Sequence, residues 1–255
     1  LPERQVTGGA LSGILSFRSV TLDSAQNALG RIAMTLAQTF NEQHQLGIDL
    51  NGDMGGDFFS VSSPKVTSAL TNDSTSNITA GISDFSALTT SNYRFSYDGI
   101  NYTLTRLSDN SSISTSVAPS GATPLTLDGV SVTGATILPN EKFLIQPTAS
   151  GAKNIAVNIT DTTKIAAAGP NRTSAALSNT GTGAISAGTV NPLPVDPNLQ
   201  QPLTITFHAP YDGQYDVTGV GAGLPATNQV YAEGTDISFN GYTFQINGNP
   251  AAGDI

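Results

Sequence analysis

The chain has 255 residues, ten basic against nineteen acidic side chains for a formal charge of −9, 38% apolar content, 11% charged content and no cysteine. That length accommodates two or three small domains, and the missing cysteines exclude disulfides, thiolate metal sites and a cysteine nucleophile. An acidic balance with no run of Lys or Arg argues against nucleic acid and against an anionic membrane surface, and no stretch approaches the roughly 18 consecutive apolar residues of a membrane span.

The first six residues, Leu1 to Val6, lack the charged start and apolar core of a secretory signal. Gly8, Gly9 and Gly13 loosen the start of a helix in which Leu11, Leu15 and Leu22 share one face. Leu22, Ala25, Leu29, Ile32 and Leu36 then repeat with 3,4,3,4 spacing, and Phe40 extends the row by a turn. This is the seam of a coiled coil or helical bundle. Asp23 and His44 suit the two ends of the helix dipole, and Gly47 is a C-terminal stop after Gln45. Val20 and Thr21 mark a break, so one long helix and a turn followed by a helix from Leu22 both remain open. A seam needs a partner, and the remaining chain reads as strands and turns. The partner helices are therefore expected from flanking parts of the polypeptide or from another subunit, with Leu22, Leu29, Ile32, Leu36 and Phe40 as the inner assembly face.

From about residue 63 the period changes to two. Alternating runs flank Asp98-Gly99, Asp128-Gly129, Asp212-Gly213 and Asn240-Gly241, dipeptides that favour tight hairpins. The stretches 166–170 and 181–197, rich in Gly, Thr, Ala and Pro, read as linker or long loop, and Gly253-Asp254-Ile255 as the middle of a strand. The expected fold is multidomain α+β: a long N-terminal helix of a bundle, followed by mainly antiparallel β-domains. Its expected divisions are a partial helical inner domain with a hairpin over 1–62, a β-rich middle domain over 63–170, and a β-rich inserted outer domain over 171–255.

Chemistry-bearing patterns are few. Asp49, Asn51, Asp53, Gly55 and Asp57 alternate as in a calcium loop, but Met54 stands where the loop needs glycine and Ser60 where it needs a bidentate glutamate. The plain alternative is a turn at Asn51-Gly52 anchored by Phe58 and Phe59. His44 and His208 are the only histidines, read as a helix-end residue and a surface residue at a turn. Gly219, Gly221 and Gly223 imitate a phosphate loop with the wrong spacing and no helix after it. No nucleophile elbow or zinc-protease helix occurs, so no enzyme activity, cofactor or metal is expected, and a cell-wall hydrolase has no catalytic constellation behind it.

Particular residue runs do carry a resemblance. Residues Gly8 to Arg18, Leu22-Asp23, Asn27, Leu29-Gly30, Phe40-Asn41, Gln43-His44, Gly47, Asp49, Asn51-Gly52 and Gly56 to Phe59 closely resemble the flagellar hook-associated protein 1 (FlgK) family. The likeness continues more sparsely through Tyr93-Arg94, Ser96 to Asp98, Thr105 to Leu107, Phe143 to Pro147 and Thr160 to Ala166, and is slight over 171–237. It implies a secreted structural subunit of the extracellular bacterial flagellum, exported unfolded by the type III pathway and joining hook to filament. In that family, helices absent here pair with the helix seen here, and the β-domains project outward. The implied partners are further copies in a ring-like homo-oligomer, the hook protein, a second hook-filament junction protein, and an export chaperone acting through an absent C-terminal region. His44, Asp49, Asn51 and Asp57 fall within the family pattern as structural residues. The alternative is a surface-exposed β-domain protein that binds host glycans or proteins through Tyr97, Tyr102, Tyr211, Tyr215 or Tyr242.

Overall fold

The computed structural model describes residues 8–255, so the reading of Leu1 to Val6 lies outside the described residues. Helix α1 (Gly9–Ser16) runs through a π-helical stretch (Phe17–Leu22) into α2 (Asp23–Gln45). Val20 and Thr21 lie inside the π-helical stretch, so the break takes the form of a local widening of the helix. The chain then divides into two compact units, one comprising residues 1–40 and 59–158 and the other residues 41–58 and 159–255.

In the first unit, β1 (Phe59–Ser60) is followed by β2 (Lys65–Ser68), β3 (Asn77–Ile82), β4 (Tyr93–Tyr97), β5 (Tyr102–Arg106), β6 (Ser112–Thr115), β7 (Leu125–Leu127), β8 (Val130–Thr136) and β9 (Lys142–Gln146). A short helix α3 (Gly151–Asn154) leads to β10 (Ala156–Val157), which pairs with β1. The other strands form a five-stranded antiparallel sheet in the order β2-β9-β4-β5-β6 and a three-stranded sheet β3-β8-β7. Their apolar inner faces meet in one core of Leu88, Tyr93, Phe95, Leu104, Leu125, Val130, Val132, Phe143 and Ile145. The Asp128-Gly129 hairpin is a two-residue loop with φ of 50° and 74°, the left-handed pair that matches strand twist. At Asp98-Gly99 the loop runs to four residues, and the Asp98 carboxylate closes it by accepting the amides of Ile100 and Asn101.

The second unit contains β11 (Ala184–Ile185), β12 (Thr189–Val190), β13 (Leu203–Phe207), β14 (Gln214–Gly219), β15 (Ala226–Val230), β16 (Asp236–Phe239) and β17 (Tyr242–Asn247). Strands β13-β14-β15 form one antiparallel sheet, while β11, β12 and β16 all pair with β17. Leu199, Phe207, Tyr215, Val217, Ile237, Tyr242, Phe244 and Ile246 fill the core between them. Two expectations are corrected here. The stretch 181–197 is not wholly loop, because β11 and β12 dock on β17; strands of two residues are too short to show an alternating pattern. The chain end is not mid-strand, because β17 stops at Asn247 and the buried Asp254 carboxylate accepts the amides of Thr180, Gly181 and Ala251.

Many acidic side chains serve turns in this way. Asp84 is held below the ordinary carboxylate range by hydrogen bonds from Ser86, Asp161 by hydrogen bonds from Thr163, and Asp254 by the amides of Ala251 and Thr180. A carboxylate with a depressed folded pKa stabilises the fold above its unfolded value, and that contribution is lost as pH falls through the folded value. Stability measured by urea unfolding is therefore expected to drop as pH falls below about 4. An unchanged urea midpoint across that window would contradict this role for the carboxylates.

In the first unit, α2 lies close against the segment after β9. A methyl group on Gly30 would overlap the carbonyl oxygen of Thr148, and one on Gly151 would overlap Gly30 O and the Met34 side chain. Gly to Ala inside a helix ordinarily gains about 1 kcal/mol. Here Gly30→Ala is expected to destabilise by about 1–3 kcal/mol, because the backbones cannot separate without losing the contact. A more stable variant in chemical denaturation would refute the close approach.

Candidate functional site

Helix α2 carries two rows of residues, each with three- and four-residue spacing, on roughly opposite faces. One is Asn27, Gly30, Met34, Ala37, Asn41 and His44, and every member is buried. The other is the aliphatic row identified from the spacing, and it points away: Leu29 is 61% exposed, Ile32 64% and Leu36 63%, with Leu22 and Phe40 also exposed. Leu11, Ile14, Phe17 and Val20 continue the exposed apolar surface along α1 and the π-helical stretch.

Contacts on the buried row explain the orientation. In the first unit, Asn27 Nδ2 donates to Thr90 O at 3.0 Å and to Asn92 Oδ1 at 3.2 Å, and the neighbouring Gln26 Nε2 donates to Ala149 O at 2.6 Å. Gly30 supplies the close backbone approach, and Met34 and Ala37 fill the remaining space. Phe40, at the end of the exposed row, meets the Phe59 ring edge-on at 5.3 Å. This row was not picked out from the sequence because its members other than Met34 are small or polar. The signal available was the same three- and four-residue spacing applied to Asn, Gly, Ala and His.

In the second unit, His44 is a structural tie. Its Nε2 accepts the Ala166 amide at 2.8 Å, which requires Nδ1 to carry the proton that is donated to Gly56 O at 2.8 Å. The Phe58 ring packs edge-on against the imidazole at 5.5 Å. Both nitrogens are therefore occupied by backbone in a neutral ring, leaving no free nitrogen for proton transfer or metal binding.

The incomplete calcium loop is a turn in this structure. Asp49 Oδ1 accepts the amides of Asn51 at 2.7 Å and Asp53 at 3.0 Å, while Asp57 Oδ1 accepts Gln45 Nε2 at 2.6 Å. Burial opposes the charge on Asp49, but the hydrogen bonds from Asp53, Asn51 and Gly52 outweigh it and hold the carboxyl below its ordinary range. Among the described residues no three His, Cys, Asp or Glu side chains gather as metal ligands, and no helix is long and apolar enough to cross a membrane. The glycines at 219, 221 and 223 lie at the end of β14 and in the turn before β15.

The tyrosines expected as exposed platforms do not form one. Tyr215 and Tyr242 are core residues, since β14 and β17 turn them toward the facing sheet. Tyr97 and Tyr102 stack on one another at 4.2 Å across the β4-β5 pair, and Tyr211 leans on Phe207 at 6.1 Å.

Comparison with known proteins places this helix and these sheets together. Residues 1–59 match the model of the flagellar hook-associated protein FlgK helical domain, and residues 67–147 match that of the flagellar hook-associated protein 1 D2-like domain. The chain belongs to the flagellar hook-associated protein 1 family. It is 37% identical over 169 residues to flagellar hook-associated protein 1 of Escherichia coli K12, covering 66% of this chain and 30% of that protein. The Salmonella typhimurium protein is 36% identical over 170 residues, with the same shares covered. The chain thus spans about 30% of the length of these curated relatives. The structure of the flagellar hook junction protein FlgK from Burkholderia pseudomallei superposes with a TM-score of 0.76 at 29% identity. That likeness covers 100% of this chain and 51% of the other, and so includes residues 171–255, which lie beyond both family-model matches.

The tie at His44 yields a stability prediction. His44→Leu leaves the half-buried Ala166 amide without its acceptor, at a cost of about 1–3 kcal/mol, while the exposed Gly56 can turn to water. The expected result is a lowered denaturation midpoint with faster amide exchange at Ala166. Unchanged exchange there would remove His44 from this role.

Proposed function

We propose that the chain is part of a structural subunit of the bacterial flagellum that forms the junction between hook and filament. The observation that carries this reading is the exposed aliphatic row on a helix whose opposite face is already docked. Burying a large aliphatic side chain contributes about 1.5–3 kcal/mol, so Leu22, Leu29, Ile32 and Leu36 together offer a large incentive for a partner helix. In this reading Leu22, Leu29, Ile32, Leu36 and Phe40 form the inner assembly face, and the β-domains brace outward. The mechanism is mechanical matching of surfaces and involves no chemistry on a substrate.

The partners follow from the family: further copies in a ring, the hook protein and the second hook-filament junction protein. Export as an unfolded chain, with a chaperone acting on a C-terminal region, suits a sequence in which no cysteine can cross-link on arrival. Within this reading residues 1–62 supply the helical inner part, 63–170 the middle β-domain and 171–255 an inserted outer β-domain.

Deleting the gene in its native bacterium is expected to leave bare hooks and to release flagellin monomer into the medium, both rescued by the intact gene. Normal filaments in the deletion strain would refute the junction role. Leu29→Asp in the intact protein is expected to abolish assembly by placing an unpaired charge in a packed seam. Because Leu29 is exposed in the chain by itself, the variant is expected to keep its circular dichroism spectrum and melting temperature. Normal motility with the variant would remove this face from the assembly.

A further inference from the structure

The loop between β13 and β14, residues 208–213, is closed by a histidine held between two carboxylates. His208 Nδ1 lies 3.0 Å from Asp212 Oδ2, and Nε2 lies 3.1 Å from Asp216 Oδ1. A neutral imidazole has one N–H and one bare lone pair, so it can donate to only one of these oxygens and must repel the other. Only the imidazolium satisfies both. We propose that His208 is a proton-operated latch, which in its doubly protonated form pins the loop to the bulged strand pair β14-β15 and on losing a proton releases it.

The two carboxylates are held unequally, and this decides which contact gives way. Asp216 lies where the β14-β15 register shifts, and its Oδ1 also accepts the Asn228 amide from β15 at 2.8 Å. Asn228 sits in the left-handed region there, with φ of 56°. Asp216 therefore keeps a donor whatever the state of His208. Asp212 lies in the loop, is about half exposed, and its other oxygen accepts the nearby Gln214 amide. The neutral ring is thus expected to keep its proton toward Asp216 and to turn a lone pair on Asp212, loosening the loop that carries Tyr211.

Among the described residues, Asp212 and Asp216 are the charged groups that act on His208. Strands β13 and β15 contain no ionisable side chain, and the nearby Tyr211 and Tyr215 both lie against the Phe207 ring. Hydrogen bonds from Asp212 and then Asp216 raise the His208 pKa above its ordinary value. A group raised in the folded state stabilises the fold fully below its unfolded pKa and ceases to do so as pH rises through the folded value. The latch is accordingly shut in mild acid and opens on the alkaline side of the ordinary histidine range.

The test is a histidine side-chain 15N titration of the 255-residue chain from about pH 5 to about pH 9, with His208 assigned by the signal lost in His208→Gln. The expected midpoint lies above about 6.5, with both ring nitrogens protonated at that pH and the amides of Asp212 to Gln214 moving with the same midpoint. Asp212→Asn and Asp216→Asn should each lower it, and Asp212→Asn, being a change at an exposed loop carboxylate, should keep the dispersed amide spectrum of the folded chain. A midpoint at or below the ordinary value, or loop amides that do not follow the histidine, would overturn the latch.

Discussion

The contact on which the helical part of this molecule depends is the meeting of two backbones at Gly30 and Gly151. Neither position has room for a methyl group, so the helix and the segment after β9 approach as closely as main chains allow. That approach, together with the amide ties from Asn27, sets the rotation of α2 about its axis. Once the small and polar row is turned inward, the aliphatic row has no choice but to face out. The exposed surface is thus a consequence of how the inner face is built, and any side chain larger than hydrogen at position 30 would act on the outer row indirectly, through the rotation of the helix.

The chain uses its acidic residues in an unusual proportion for architecture. Asp49, Asp73, Asp84, Asp98, Asp109, Asp161, Asp196 and Asp212 each accept an amide two residues ahead, closing the turn in which they lie. Glu141 is buried, yet hydrogen bonds from Ser76 and from the amides of Asp73 and Leu138 hold its carboxyl below the ordinary range despite the burial. Tyr93 shows the complementary effect: burial pushes its hydroxyl up to about 12, and it bonds as a neutral donor to Asp128, which also receives Arg106. With so many loops and comparatively little apolar mass, ordering the turns locally reduces what each small core must stabilise.

The proposed junction role suits this division of labour. In that reading a subunit that transmits load needs rigid bodies and a seam, the first being the two cores and the second the outward row on α2. The family matches follow the same division, the helical one falling on the helix and the D2-like one on the first unit's sheets. Residues 171–255 lie beyond both family-model matches yet fall within the structural likeness. That is expected of strands whose register is set by turns and a few inward residues, leaving the solvent faces free to vary.

Several features were legible without a structure. The aliphatic spacing identified the helix and its outward row, and the Asp-Gly and Asn-Gly dipeptides located the hairpins at 128–129 and 240–241, because helix period and left-handed turn residues are local properties of the chain. Val20 and Thr21 left one helix and a turn before a helix both open, and the helix runs through them as a π-helical stretch. Three features required the tertiary structure. Apart from Met34, the inward row from Asn27 to His44 is polar or small, and becomes a packing face only because Thr148, Gly151 and Ala166 arrive from over a hundred residues away. Strands β11 and β12 are too short to have a period and exist only as partners of β17. His208, read as a lone residue at a turn, acquires its two carboxylates through the loop and through the β13-β14 register, which brings Asp216 beside it. Local conformation follows from neighbours in sequence, whereas which side chains share a hydrogen bond across a sheet follows from register, and register is a property of the assembled fold.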